Sequence, residues 1–314
     1  MSRRILLLLL PLAVVMLSSG CTIPGMSTTS ATGGVSIEAF EADFSQIYSG
    51  EPVQFRLNIR NTGSVDATIK SIVLTGIDTQ GGFGTSTAWS QGSGNTCDNQ
   101  IPSGTKLLPA NSAMGTSGQE KNCYWEYKAP NIETGLSITY SPSVRVTYEY
   151  STSTVKSITV GSTSEIRSLM DRGQTLAADT VSSTASPISI GISIKTPIRI
   201  SDSGITIPVE ITMSNVGGGV VCKSTECSNP DDWNKMTIKI EAPSGANLQD
   251  CQNQEDISLW HGQSNTLGCR LTFSSPPQAG TVQKLLTVSA NYGYFIEKST
   301  SVYVTGTATS GSGI

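Results

Sequence analysis

Apolar and polar residues alternate along much of this chain. Val53, Phe55, Leu57 and Ile59 are apolar, and Gln54, Arg56, Asn58 and Arg60 between them are polar. A period of two marks a half-buried strand, because successive side chains leave opposite faces. The run ends in Asn61-Thr62-Gly63, residues that tolerate the positive φ of a tight turn. Residues 207–217, Ile-Pro-Val-Glu-Ile-Thr-Met-Ser-Asn-Val-Gly, repeat the form. The same reading predicts strands over 35–39, 67–77, 123–127, 144–148 and 154–160, with Ser151-Thr152-Ser153 as the hairpin turn joining the last two. In the second half it predicts strands over 188–195, 205–214, 236–241, 269–273, 285–292 and 295–304, with the last turn at Gly293. The stretch 78–118 is dense in Gly, Ser, Thr and Asn and reads as loops or short edge strands.

The two halves echo each other beyond these strands. Cys97 and Cys251 stand equally far beyond their Asn-x-Gly, and Cys123 and Cys269 each open an alternating run. Tyr148-Glu149-Tyr150 is matched by Tyr292-Gly293-Tyr294. Such a duplication predicts two copies of one module, each able to fold alone. Short strands with frequent turns and no long amphipathic helix make the class all-β, as two tandem β-sandwich domains. The domains are placed at 35–161 and 188–306, with a linker over 162–187 and a flexible tail over 307–314. Within the linker, Ile166, Leu169, Met170 and Leu176 recur at helical spacing, which predicts a short helix, with Ser164 as its candidate cap, or else a structured linker.

Composition narrows the setting. Only 14% of the 314 residues are charged and the net charge is −4, well below the usual charged fraction of about 25%. No basic stripe exists to hold a phosphate backbone, so no nucleic-acid partner is expected. The N-terminus reads as an export signal over residues 1–20. Arg3 and Arg4 precede an apolar run from Ile5 to Leu17, followed by Ser18-Ser19-Gly20-Cys21. The run is short for a membrane span, which needs about 20 residues. It resembles a lipoprotein signal, in which Cys21 becomes a lipidated N-terminus, although Leu17 lies one place further from the cysteine than the usual pattern. An ordinary cleaved signal and an uncleaved anchor are the rivals. Residues 21–34 then form a Ser/Thr/Gly-rich tether.

Seven cysteines less Cys21 leave six, an even number in an exported chain. The duplication pairs Cys97 with Cys123 and Cys251 with Cys269. Cys222 and Cys227 remain, close in sequence, to staple their own loop. A four-thiolate zinc site from Cys222, Cys227, Cys251 and Cys269 is the rival, at spacings longer than zinc knuckles favour.

Catalytic chemistry is sparse. His261 is the one histidine; Asp256 and Ser258 are near it in sequence, but no nucleophile-elbow pattern surrounds a serine. No Gly-x-Gly-x-x-Gly or phosphate loop occurs. Asn229-Pro230-Asp231-Asp232 offers oxygen ligands to Ca²⁺, yet reads more simply as an Asx-rich turn. Among the aromatics Tyr124, Trp125, Tyr127, Trp233 and Trp260, alternation puts Trp125 and Tyr127 on the face of Cys123, against the disulfide. Trp233 and Trp260 lie in loop context and are the candidate ligand contacts. No enzyme activity, metal or cofactor is expected.

The runs 53–63 and 207–217, each followed by an apolar segment at Ile72 to Leu74 and Ile238 to Ile240, resemble the strand-turn signature of CARDB-like and related immunoglobulin-like modules of archaeal and bacterial surface proteins. That resemblance implies spacer, adhesion or assembly units without catalytic residues. The expectation is an exported protein on the outer face of the cell membrane or envelope, anchored by an N-terminal lipid or anchor, with an unidentified protein or glycan partner. The alternatives are a carbohydrate-binding module of a cell-envelope system that uses Trp233 and Trp260, or a surface hydrolase with a carboxylate pair brought together in space.

Overall fold

A computed structural model describes residues 33–79, 88–111, 113–251, 254–278 and 280–307. The export signal, Cys21 and most of the tether lie outside these residues. The alternating runs form strands, as their period requires, and the class is all-β sandwich. One four-stranded sheet has the order β1 (Val35–Ala42), β3 (Pro52–Asn61), β7 (Glu120–Lys128) and β5 (Ser90–Gln91). Its counterpart has the order β11 (Ile188–Ile194), β13 (Ile205–Asn215), β18 (Ser264–Phe273) and β16 (Ala246–Gln249).

Both sheets share one partner. A central sheet runs β17 (Gln254–Ser258), β15 (Lys235–Glu241), β19 (Thr281–Ser299), β9 (Ser143–Ser162), β4 (Ala67–Thr75) and β6 (Lys106–Leu107). β10 (Val181–Ser183) and β12 (Ile198–Ile200) add to β9, and β14 (Val220–Cys222) adds to β19. A small fourth sheet joins β2 (Gln46–Tyr48), β20 (Val302–Thr305) and β8 (Ser137–Tyr140).

The two predicted hairpin turns do not exist. β9 runs without a break through Ser151-Thr152-Ser153, and β19 runs through Gly293. The physical reason is visible in the alternation, which never changes phase. Val144, Val146, Tyr148, Tyr150, Thr152, Thr154, Ile158 and Val160 are all buried, all on one face. Thr152 and Thr154 occupy core positions because their hydroxyls find partners: Thr152 Oγ1 shares a 2.6 Å hydrogen bond with Tyr292 Oη, and Thr154 Oγ1 donates to Ile190 O at 2.9 Å. A buried hydroxyl with a partner carries little of the usual desolvation cost.

β9 and β19 are antiparallel from Ser143↔Ser299 to Gly161↔Thr281. Tyr148 faces Tyr294 and Tyr150 faces Tyr292, centred on Glu149↔Gly293. The register therefore has a pseudo-twofold axis at that central pair. Each long strand starts in its own half and ends in the other. The C-terminal part of β9 pairs with β10 and with β12, and its Thr154 and Lys156 donate to carbonyls of β11. Reciprocally, Lys298 near the end of β19 donates to Ile37 O and Glu38 O of β1. β20 then pairs with β2 and β8 of the first half. The last strands of the repeats are thus exchanged within one chain, and the exchange covers the free edges of β1 and β11, which would otherwise template unwanted pairing. All described residues belong to one compact unit, with one continuous apolar core that includes residues of both halves.

The Asn-x-Gly echo has a structural cause. Asn61 is fully buried; its Nδ2 donates to Val65 O and Leu107 O, both at 2.8 Å, and its Oδ1 accepts from Gly63 N at 3.0 Å. Asn215 Nδ2 donates to Gly219 O and Gly262 O at 2.9 and 3.2 Å. Each asparagine closes the turn that follows its strand and ties it to a distant loop. Each also sits beside one tyrosine. Val65 N donates to Tyr150 Oη, while Gly219 N donates to Tyr294 Oη, which donates in turn to Asn215 Oδ1.

The linker holds an α-helix, α1 (Thr163–Asp171). Its cap is Ser162, whose hydroxyl accepts from Glu165 N at 3.1 Å, and not Ser164. Ile166 is buried against Gly161, and Gly173 at φ 68° lies just past the end, so Leu176 falls outside.

Candidate functional site

The loop stapled by Cys222–Cys227, which only the second repeat carries, lies against the outer face of the central sheet, opposite the core. At the pseudo-twofold axis Glu149 stands across from Gly293. This is the one position where Tyr-Glu-Tyr and Tyr-Gly-Tyr differ. The glycine is required here, because a Cβ on it would overlap the Ser224 carbonyl oxygen and lie 2.9 Å from Cys227 Sγ and Thr225 O. The loop stapled by Cys222–Cys227 crosses the strand at this point. It carries a small apolar cluster of its own, Cys222, Cys227 and Phe295 with Val220 and Trp233 packed on them.

Trp233 is held inside that cluster. Its ring centroid lies 5.0 Å from that of Phe295, and its Nε1 donates to Cys227 O at 3.1 Å. Arg145, from the facing part of β9, sets its guanidinium 4.3 Å from the Phe295 ring and 5.3 Å from the Trp233 ring, and bonds Glu297 at 2.8 Å. A guanidinium over two rings with a carboxylate on its edge is a rivet between the loop and the sheet. Trp260, by contrast, is 73% exposed at the tip of a tight turn closed by Trp260 N to Ser264 O at 2.9 Å. Among the described residues no ring contact joins the two tryptophans, so they do not form one platform.

Beside the loop, Glu149 has two partners, and one of them, Lys70, has a second carboxylate near it. Glu149 Oε2 lies 2.9 Å from Lys70 Nζ, its Oε1 accepts from Asn291 Nδ2 at 3.0 Å, and Glu226 Oε1 reaches Lys70 at 3.8 Å. The Asn291 amide and then Lys70 hold the Glu149 carboxyl below the usual carboxylate range, and Glu149 in turn holds Lys70 above the usual amine range. Next to this network an open groove of about 470 Å³ crosses β15, β19 and β9, lined by Thr237, Lys239, Ser289, Asn291, Ser151 and Ser153. Neither Glu149, Lys70 nor Arg145 stood out in the sequence. The signal for Glu149 was the mismatch of Tyr-Glu-Tyr with Tyr-Gly-Tyr; Lys70 and Arg145 are ordinary outward positions of strands.

The inner face at the same axis is a cluster of Tyr148, Tyr150, Tyr292 and Tyr294, all essentially buried, with neighbouring centroids 5.7–6.5 Å apart. Burial raises all four phenols, Tyr294 to about 12.

Three disulfides close: Cys97–Cys123, Cys222–Cys227 and Cys251–Cys269. With their sulfurs so engaged, Cys222, Cys227, Cys251 and Cys269 do not form a thiolate cluster. Trp125 is buried on the Cys123 face, and Tyr127 packs 6.4 Å from Phe55. Asp256 pairs with Lys223 at 2.8 Å, and His261, at φ 48°, bonds no carboxylate among the described residues. Asn229 caps the single helical turn Pro230–Asp232, its Oδ1 accepting from Asp231 N at 3.1 Å, as an Asx turn does. Three disulfides in one chain indicate an oxidising compartment. Among the described residues no helix is long and apolar enough to cross a membrane.

No protein-family model matches the chain, and no curated protein matches it. Among solved structures it is similar to the secreted serine protease VesC from Vibrio cholerae, at 9% identity over 85% of this chain and 51% of that one, with a TM-score of 0.22. It is similar to the native form of the E. coli alpha-2-macroglobulin, at 9% identity over 87% of this chain and 17% of that one, with a TM-score of 0.23. It is also similar to the collagen adhesin CNA from S. aureus, at 6% identity over 88% of this chain and 94% of that one, with a TM-score of 0.13. The chain thus spans about half of the first protein and less than a fifth of the second. Likeness of this order carries no inference about fold or function.

Proposed function

We propose that this is an exported protein of the outer cell surface, anchored to the membrane through Cys21 or the apolar segment before it, with a non-catalytic adhesion, scaffold or assembly role. The observation that carries the reading is an all-β body with three disulfides, preceded in sequence by Arg3-Arg4, an apolar run and Cys21. The interlocked halves suit a rigid display unit. Exposed Tyr48 and Tyr303 share the outer face of the small sheet that contains the edge strand β8 and supply an apolar surface of the kind assembly uses. The resemblance to CARDB-like modules agrees with this role. Mass spectrometry of the mature N-terminus tests the anchor: a lipid-modified Cys21 or a retained apolar segment is expected, and an unmodified N-terminus at any later residue overturns it.

The exposure of Trp260 favours a second reading, glycan binding within the same surface role. Stacking of a sugar on that single indole predicts binding on a glycan array that Trp260→Ala abolishes; unchanged binding, or none by the native chain, removes this reading.

A further inference from the structure

The outer face of the first four-stranded sheet is hollowed. In register, Glu41, Arg56 and Tyr124 stand side by side across β1, β3 and β7, and Ala39, Asn58 and Asn122 form the next row. Ala39 is small, and an open groove of about 280 Å³ lies among these side chains. Gln100, from the helical turn Cys97–Gln100, lines it too. Two devices hold that turn against β7. One is the Cys97–Cys123 disulfide; the other is Thr96, whose N donates to Tyr124 O at 2.9 Å and whose Oγ1 accepts from Tyr124 N at 3.0 Å. The lining is thus set before any ligand arrives, which lowers the ordering cost of binding.

The duplication supplies a comparison within the molecule. Arg56 and Glu210 stand the same number of places before Asn61 and Asn215. Arg56 faces Tyr124 across the sheet, whereas Glu210 faces Gly268. A groove is present in the second half as well, beside Cys269, but the charge is reversed, the ring is absent and open space surrounds Gly268. The hollow therefore comes with the fold, while the guanidinium, the ring and the carboxamides belong to the first half.

We infer that the groove beside Tyr124 binds a neutral saccharide. Glu41 and Arg56 face each other, yet among the described residues neither forms an ion pair. The guanidinium donors and the carboxylate acceptors both remain available to a ligand. Asn122 and Gln100, both exposed, add carboxamides that donate and accept. One cation and one anion give this lining no net charge, so neither a phosphate nor an ammonium ligand is favoured. Leu57 and Cys123 are buried, so no apolar pocket opens here for a hydrophobic side chain. Neighbouring hydroxyls of a sugar need donors and acceptors at close spacing, which this lining provides, and the half-buried Tyr124 ring offers apolar surface to the sugar's C–H face. The volume is close to the lower bound of about 300 Å³ for small-ligand sites and suits one sugar ring. Trp260 is not part of the groove, so the inference does not rest on stacking at that indole and fails separately from it.

The test places the purified full-length mature protein on an array of neutral and acidic glycans, with free methyl glycosides as competitors. The expected result is binding to neutral glycans that the matching methyl glycoside displaces. Arg56→Ala should weaken it about tenfold, the loss expected for a hydrogen bond to a charged group, and Asn122→Ala should weaken it in the same direction. Both side chains are exposed, so the thermal midpoint should stay in place and the loss is one of binding. Glu210→Ala, the counterpart change in the second half, should leave binding unaltered. No binding by the native chain to any glycan overturns the inference, and so does binding confined to acidic glycans. Binding that persists in both Arg56→Ala and Asn122→Ala overturns it as well; if Trp260→Ala then abolishes that binding, stacking at the exposed indole stands in its place.

Discussion

Replacing Asn61 by alanine should be among the most damaging single changes in the molecule, and the structure gives its size. The side chain is fully buried and makes three hydrogen bonds of 2.8–3.0 Å, to Val65 O, Leu107 O and Gly63 N. Each contributes about 1 kcal/mol net, and buried groups left without a partner add a desolvation cost, so Asn61→Ala should destabilise by about 3–5 kcal/mol. Asn215 is half-buried and also makes three, two to Gly219 O and Gly262 O and one from Tyr294 Oη. Water can reach part of that site, so Asn215→Ala should cost about 2–3 kcal/mol. Urea unfolding followed by circular dichroism measures both as shifts in midpoint at constant slope. Asn61→Asp keeps an acceptor for Gly63 N but directs a carboxylate at two carbonyl oxygens, and should do no better than alanine. A loss below about 1 kcal/mol for Asn61→Ala would refute the reasoning, because no set of three buried bonds should be worth so little. So would a larger loss at Asn215 than at Asn61.

Other consequences can be checked with simple assays. Gly293→Val must displace the stapled loop from the Ser224 carbonyl and Cys227 sulfur, costing about 1–3 kcal/mol as other overpacked sites do; thermal melting and faster amide exchange over residues 220–233 should report it. Trp233→Ala removes the ring beneath Arg145 and the bond to Cys227 O and should lower stability by about 2 kcal/mol or more, whereas the exposed Trp260→Ala should stay within about 0.5 kcal/mol. The folded tyrosine cluster has raised phenol pKa values because burial disfavours phenolate. Its stabilisation is fully present below the unfolded phenol value of about 10 and is lost as pH rises from there through the folded values. Ultraviolet titration should show these phenols ionising only as the fold opens, and ionisation in the intact fold would contradict the burial argument.

Period and duplication made much of the architecture legible. The runs ending at Asn61 and Asn215 became paired central strands, the cysteine positions anticipated all three disulfides seen, and the face shared by Cys123 and Trp125 is buried. What failed was local composition used as a turn signal. Ser151-Thr152-Ser153 resembles a turn, yet Thr152 is a core residue bonded to Tyr292, and only the partner strand reveals it. Gly293 resembles a turn for the same reason, although its role is to let a loop pass. The exchange of terminal strands was illegible because alternation specifies which face is buried and not which half buries it. Trp233 looked exposed by context because its partners, Phe295 and Arg145, are remote in sequence.

Neither half closes its own sandwich, since each supplies the final strand of the other. Cutting the chain within the exposed linker segment 173–175, through an inserted protease site, tests it directly. The two fragments should stay together as one particle on native size-exclusion chromatography and unfold in a single, concentration-dependent transition. Fragments that separate without denaturant, or that melt as two independent folded units, would contradict it.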